Sequence, residues 1–142
     1  MKNYFNNSLL TAKPLSQQAQ AIRLKWPGFT VGISGNKLKA IGDLQPTSRS
    51  LVYKVQVLYQ LGDMPDIILL NPKIETNFKG DMPEHLYSEQ RLCLYRPIYG
   101  EFKPSDLVSE TILPWTSLWL YHYEVWHIVG EWLGGGEHPG VI

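Results

Sequence analysis

Residues 51–61 constrain the fold of this chain most: Leu51, Tyr53, Val55, Val57, Tyr59 and Leu61 alternate with Val52, Lys54, Gln56, Leu58 and Gln60. A period of two held over that length predicts an extended strand with one face in a core and the other mostly outside. Upstream, Phe29, Val31 and Ile33 alternate with Thr30, Gly32 and Ser34. Gly35-Asn36 then turns the chain into Lys37-Leu38-Lys39-Ala40-Ile41, which predicts a hairpin. Gly42 to Ser50 is rich in Gly, Pro, Thr and Ser and reads as a loop. Downstream, Gly62-Asp63-Met64-Pro65 turns into a short apolar strand, Asp66 to Leu70, ended by Asn71-Pro72. No helical crossover separates the four strands, so the pattern predicts an antiparallel meander with a helix over one face.

The helix for that face is read over residues 15–26. Leu15, Ala19, Ile22 and Trp26 fall at spacings of four, three and four, with Ser16 as a cap and Pro27-Gly28 as the stop. Gln17, Gln18, Arg23 and Lys25 form its polar side. Two helices close the chain. Pro104-Ser105-Asp106 opens the first, with Ser105 as its cap. Pro114 opens the second, which carries Trp115, Trp119, His122, Trp126 and Val129 on one stripe and ends near Gly130. Leu118, Tyr121 and Val125 widen that stripe, which reads as core with some surface left for a partner.

Length predicts one domain over residues 1–142, with a flexible tail from about residue 134. Charged residues are only 18% of the chain and cancel to a formal net of zero, so it lacks the basic field of a nucleic-acid or membrane-surface binder. The single cysteine excludes an internal disulfide and the usual zinc sites. His122 and His127 are five residues apart and do not share a helix face, so they make no metal pair. No metal or other cofactor is expected. The N-terminus lacks the apolar core of a signal peptide, and no apolar run reaches transmembrane length. The expected compartment is the cytosol, where a thiol stays reduced.

Between the strands and the closing helices, Pro72 to Pro104 shows little periodicity over about thirty residues, a length often associated with function. It holds Cys93, flanked by Leu92 and Leu94. A lone cysteine is commonly a small buried hydrophobe, and becomes a nucleophile only where its surroundings favour the thiolate.

The order of elements and the residues around Cys93 resemble the ubiquitin-conjugating (UBC) fold: an N-terminal helix, a four-stranded antiparallel meander, a long segment with the active-site Cys, then C-terminal helices. Tyr59 to Ile68, YQLGDMPDII, is similar to the family's Y-P-x-x-P-P-x-V region. His85, followed eight residues later by Cys93 within Leu92-Cys93-Leu94, resembles its H-P-N segment followed by I-C-L. Phe102-Lys103-Pro104 resembles the W-x-P that opens the next helix, with Phe for Trp. The finer resemblance is to bacterial members found in cyclic-oligonucleotide-based antiphage signalling (CBASS) operons. Their pattern is followed by His85, Tyr87, Leu92 to Tyr95, Pro114-Trp115, Trp119-Leu120, Tyr123-Glu124, Trp126 and the run Gly130-Glu131-Trp132-Leu133-Gly134-Gly135. The family's Asn has no clear counterpart here, because Leu86-Tyr87 follow His85.

This resemblance implies an α+β, UBC-like protein that uses Cys93 as a thioester acyl carrier in antiphage defence. It implies as cargo the C-terminal tail of a cGAS/DncV-like nucleotidyltransferase, or a ubiquitin-like protein, with a separate activating enzyme as a further partner. His85 is expected to shape the active-site loop or to donate a hydrogen bond near the oxyanion. Tyr87 and Tyr95 order the loop or contact the incoming tail, or pack in the core. Arg91 favours the thiolate by its charge, or is a solvated surface residue. Asp106 orients an incoming amine, or serves a first helical turn. Two other readings stand beside the carrier: a non-catalytic UBC-fold module that docks and regulates a partner, and a cysteine hydrolase built on Cys93 and His85, for which no third orienting group stands out.

Overall fold

The computed structural model describes residues 12–94 and 102–134. Its elements in chain order are α1 (Leu15–Lys25), β1 (Thr30–Ser34), β2 (Lys37–Leu44), β3 (Tyr53–Gln60), β4 (Asp66–Asn71) and α2 (Ile112–Val129). The strands form one antiparallel sheet in the order β1-β2-β3-β4. This is the α+β meander, with a helix before it and a helix after it, that the UBC-like reading requires.

The alternation holds within β3 but not over the whole of the expected 51–61: Leu51, read as inward, is exposed, and Leu61 lies past the strand's end. Tyr53, Val55, Val57 and Tyr59 are buried, while Leu51 and Val52 are 63% and 52% exposed, so the strand starts two residues later than expected. The hairpin of β1 and β2 closes between Ser34 and Lys37, with Gly35 at φ +62°. A positive φ at the first of two loop residues matches the right-handed twist of the flanking strands. β2 runs on through Gly42 to Leu44, where a loop was expected. A Cβ at residue 42 would lie 2.4 Å from the Phe29 ring, so the glycine is there for close packing and the strand stays paired with Val55.

Helix α1 buries Leu15, Ala19 and Ile22 as its spacing demands, but its start and its polar side differ from expectation. Pro14 occupies the N-cap with no side-chain cap, and Ser16 lies exposed inside the first turn. Gln18, assigned to the polar side, is fully buried. Its Nε2 donates to the Asp106 carbonyl at 2.7 Å, and its Oε1 accepts from the Val108 N–H at 2.9 Å. Trp26 Nε1 donates to the Ser109 carbonyl at 2.9 Å, and Lys25 pairs with Glu110. So α1 is bonded to residues 106–110 as well as packed on the sheet.

That bonding accounts for a second difference. No helix opens at Pro104-Ser105; residues 104–111 are turns. Gln18 takes the backbone groups of Asp106 and Val108, and the Asp106 carboxylate accepts from the Lys103 N–H at 2.8 Å, so the segment is held by side chains in place of a helical ladder. Helix α2 begins at Ile112, with Pro114 inside its first turn, where a missing N–H costs nothing. It ends at Gly130, left-handed at φ +82°, whose N–H bonds the Trp126 carbonyl at 2.8 Å.

Gln18→Leu keeps the volume but leaves a buried N–H and a buried C=O unpaired, which costs about 2–4 kcal/mol in all. The urea midpoint should fall at an unchanged m-value; an unchanged midpoint would show that the clamp is not structural.

The stripe on α2 divides as its helical phase dictates. Trp119 and Trp126 are buried with Leu120 and Tyr123 in the core that also holds the inner face of the sheet. Trp115 and His122 are half-buried, and Val129 is exposed. Glu124 ties α2 to the far end of β3, accepting from the Ser50 hydroxyl at 2.7 Å and the Tyr53 hydroxyl at 2.8 Å. No helix among the described residues is long and apolar enough to cross a membrane.

Candidate active site

After β4 the chain leaves the sheet and returns to its free edge. The Leu69 N–H donates to the Gln90 carbonyl at 3.0 Å, and the Leu92 N–H donates to the Ile67 carbonyl at 2.8 Å. Residues 90–92 therefore lie antiparallel along β4, with Ile68 opposite Arg91. The apolar Leu92 anchors this contact in the core.

Residues 85–93 also fold back on themselves. The Cys93 N–H donates to the His85 carbonyl at 3.1 Å, the Tyr87 N–H donates to the Arg91 carbonyl at 2.8 Å, and Leu86 bridges Leu92. The bend is the turn Ser88 to Arg91, with Glu89 at φ +61° and Gln90 at φ +64°. Two consecutive non-glycine residues in the left-handed region cost roughly 1–2 kcal/mol each. Gln90 offsets part of this, because its carbonyl accepts from Leu69 and its side-chain Oε1 accepts from the Ile74 N–H at 3.3 Å.

In such a ribbon alternate residues share a face. Leu86 and Leu92 take one face, and His85, Tyr87, Arg91 and Cys93 take the other. The pairing puts His85 opposite Cys93 and Tyr87 opposite Arg91. Arg91 lies over the Tyr87 ring, 5.4 Å from its centroid, and reaches Asp66 at 3.6 Å. Tyr87 and Cys93 are diagonal neighbours, a separation an aromatic side chain spans. Burial first, and then the neighbouring Cys93, push the Tyr87 phenol up to about 12, so it keeps its proton at neutral pH.

Helix α2 backs this face. Trp119 Nε1 donates to the His85 carbonyl at 2.9 Å, across 34 residues of sequence. The His85 carbonyl therefore accepts from both Cys93 and Trp119. Beyond the helix the chain doubles back: the Trp132 ring lies 5.4 Å from His85 and 5.1 Å from Trp119, and Gly134 fits beneath His122, where a Cβ would be 2.6 Å from the ring. Cys93 itself is 3% exposed.

Four of the five residues assigned from sequence thus meet on one face: Cys93, His85, Tyr87 and Arg91. The fifth, Tyr95, lies outside the described residues. Asp106 is elsewhere, occupied by the backbone of Lys103. The indole of Trp119 was read as part of a mainly core stripe with some surface left for a partner; its bond to His85 joins segments whose contact no local pattern shows. Among the described residues no group of three His, Cys, Asp or Glu side chains could hold a metal ion.

A protein-family model described as "Type II CBASS E2 protein" matches residues 18–139, which include the whole hairpin and all of α2. No curated protein matches the sequence.

Proposed function

We propose that this chain, which belongs to the Type II CBASS E2 protein family, carries an acyl group on Cys93 as a thioester and passes it to an amine. The cargo is the C-terminal residue of a cGAS/DncV-like nucleotidyltransferase, with a ubiquitin-like protein as the alternative. The observation that carries this reading is the placement of the chain's one cysteine on a hairpin face with His85, Tyr87 and Arg91, inside the segment the family model spans. Cysteine suits the task because a thiolate is both a strong nucleophile and a good leaving group. Exchange between thioesters is nearly balanced in energy. An activated acyl donor, supplied by a separate activating enzyme, therefore suffices to load the carrier. Because the thiol is almost fully covered, loading includes a local opening of the hairpin.

The test is intact-mass spectrometry of the protein co-expressed with its operon neighbours, without reductant. A protein-sized adduct on wild type, removed by added thiol and absent from Cys93→Ala, is expected, and its mass identifies the tail. No adduct on wild type would overturn the carrier reading.

The burial of Cys93 specifically favours a second reading, a non-catalytic module of the same fold that docks and regulates a partner. It requires that Cys93→Ala leave the protein's contribution to phage resistance intact.

A further inference from the structure

The chain past α2 is seated by rings and not by hydrogen bonds. At Gly130, left-handed at φ +82°, it turns back, and Lys79 Nζ donates to the Gly130 carbonyl at 3.3 Å. Beyond that hinge the half-buried Trp132 ring meets three others: Trp119 at 5.1 Å, His85 at 5.4 Å and His122 at 6.1 Å. Trp119 and His122 lie one turn apart on α2 and His85 belongs to the hairpin, so the indole spans the seam between them. The bond from Trp119 Nε1 to the His85 carbonyl closes the same seam. Gly134 completes the seat, since a Cβ there would lie 2.6 Å from the His122 ring. Among the described residues no hydrogen bond holds residues 131–134, and Trp132 Nε1 is buried without an acceptor. The indole gains apolar contact but gives up its hydration with no bond in exchange, so the seated state is only weakly favoured.

We infer that residues 131–134 are a latch on the hairpin: Trp132, seated between α2 and His85, keeps the His85 strand against the helix, and its withdrawal frees that strand and uncovers Cys93. The coupling runs through the His85 carbonyl, which accepts from both Trp119 and Cys93. A strand that leaves Trp119 takes with it the partner of the Cys93 N–H. The latch deepens the carrier reading and rests on it only for its use: a thiol 3% exposed has to be uncovered before it is loaded. Held by rings alone, the latch lifts without breaking a hydrogen bond of its own. Opening at this end therefore costs less than unfolding the sheet.

The experiment reads hairpin opening twice in the full chain: as hydrogen exchange of the Cys93 N–H, and as alkylation of the Cys93 thiol by iodoacetamide. In wild type the Cys93 N–H should exchange faster than the amides of β3 and respond little to low urea. Trp132→Ala should speed both readouts by a common factor, on the order of tenfold, what the contacts of a half-buried aromatic ring are worth. Unmoved Cys93 rates would overturn the inference, because the indole would then stay seated while the hairpin opens. So would Cys93 exchange that follows β3 at every urea concentration, which is unfolding of the whole domain. Should Trp132→Ala not fold, Gly134→Ala leaves every core side chain in place and crowds His122. It must then raise both rates by about threefold or more, and unmoved rates again overturn the latch. Neither readout needs an acyl partner. Accelerated exchange in a protein that never forms an adduct would sink the carrier reading alone; an adduct with unmoved exchange would sink the latch alone.

Discussion

Cys93→Ser is expected to lower the rate of acyl transfer on the order of a thousandfold or more, and to turn whatever adduct remains from thiol-labile to thiol-resistant. A few per cent of ordinary cysteine side chains are thiolate at neutral pH, whereas a serine hydroxyl is essentially all protonated. A serine at this position would need a base to take its proton, whereas a thiol ionises far more readily by itself. An oxygen ester is also a poorer acyl donor to amines, because an alkoxide leaves less readily than a thiolate. The measurement is single-turnover transfer to lysine, followed by intact mass before and after hydroxylamine and thiol. A serine variant that transfers at the wild-type rate would mean that position 93 is not the acyl carrier. The change is nearly isosteric, so a loss of rate with an unchanged thermal midpoint separates chemistry from folding.

The sheet was legible because period two is strong wherever one face is buried, and Tyr53, Val55, Val57 and Tyr59 carry it without interruption. The candidate segment was read in another way, through the spacing from His85 to Cys93, which is a matter of resemblance and not of periodicity. What the sequence did not display are contacts between distant segments. Gln18 sits among polar neighbours, so its burial follows from residues 106 and 108, some ninety positions away. The same pair of bonds holds residues 104–111 in turns, against the capping pattern of Pro104-Ser105-Asp106. The left-handed pair Glu89 and Gln90 carries neither Gly nor Asn, the usual marks of such a turn, and is held by long-range bonds to Leu69 and Ile74. Without that turn His85 would not face Cys93, so the geometry of the site rests on the feature least visible in the sequence.

Trp119 makes the second large effect. Its side chain is fully buried, stacked on Tyr123 at 5.6 Å, and holds the His85 carbonyl that also pairs with Cys93. Trp119→Ala removes a large core side chain and should cost about 3–5 kcal/mol, a substantial part of what a domain of this size has to lose. Trp119→Phe separates the two jobs of the residue, keeping most of the ring contact and removing the donor. One buried carbonyl bond lost should cost about 1–2 kcal/mol. The His85 carbonyl still accepts from Cys93, so that loss falls on the hairpin and not evenly on the fold. A covered thiol is alkylated through local opening, and an opening made easier by about 1–2 kcal/mol exposes it roughly five- to thirtyfold more often. Trp119→Phe is therefore expected to speed alkylation of Cys93 by that factor, with little dependence on added denaturant. If the rate stays at the wild-type value, the indole bond does not hold the hairpin closed. If it rises only in step with denaturant, as for whole-domain unfolding, Trp119 supports the core alone and the hairpin opens independently of α2.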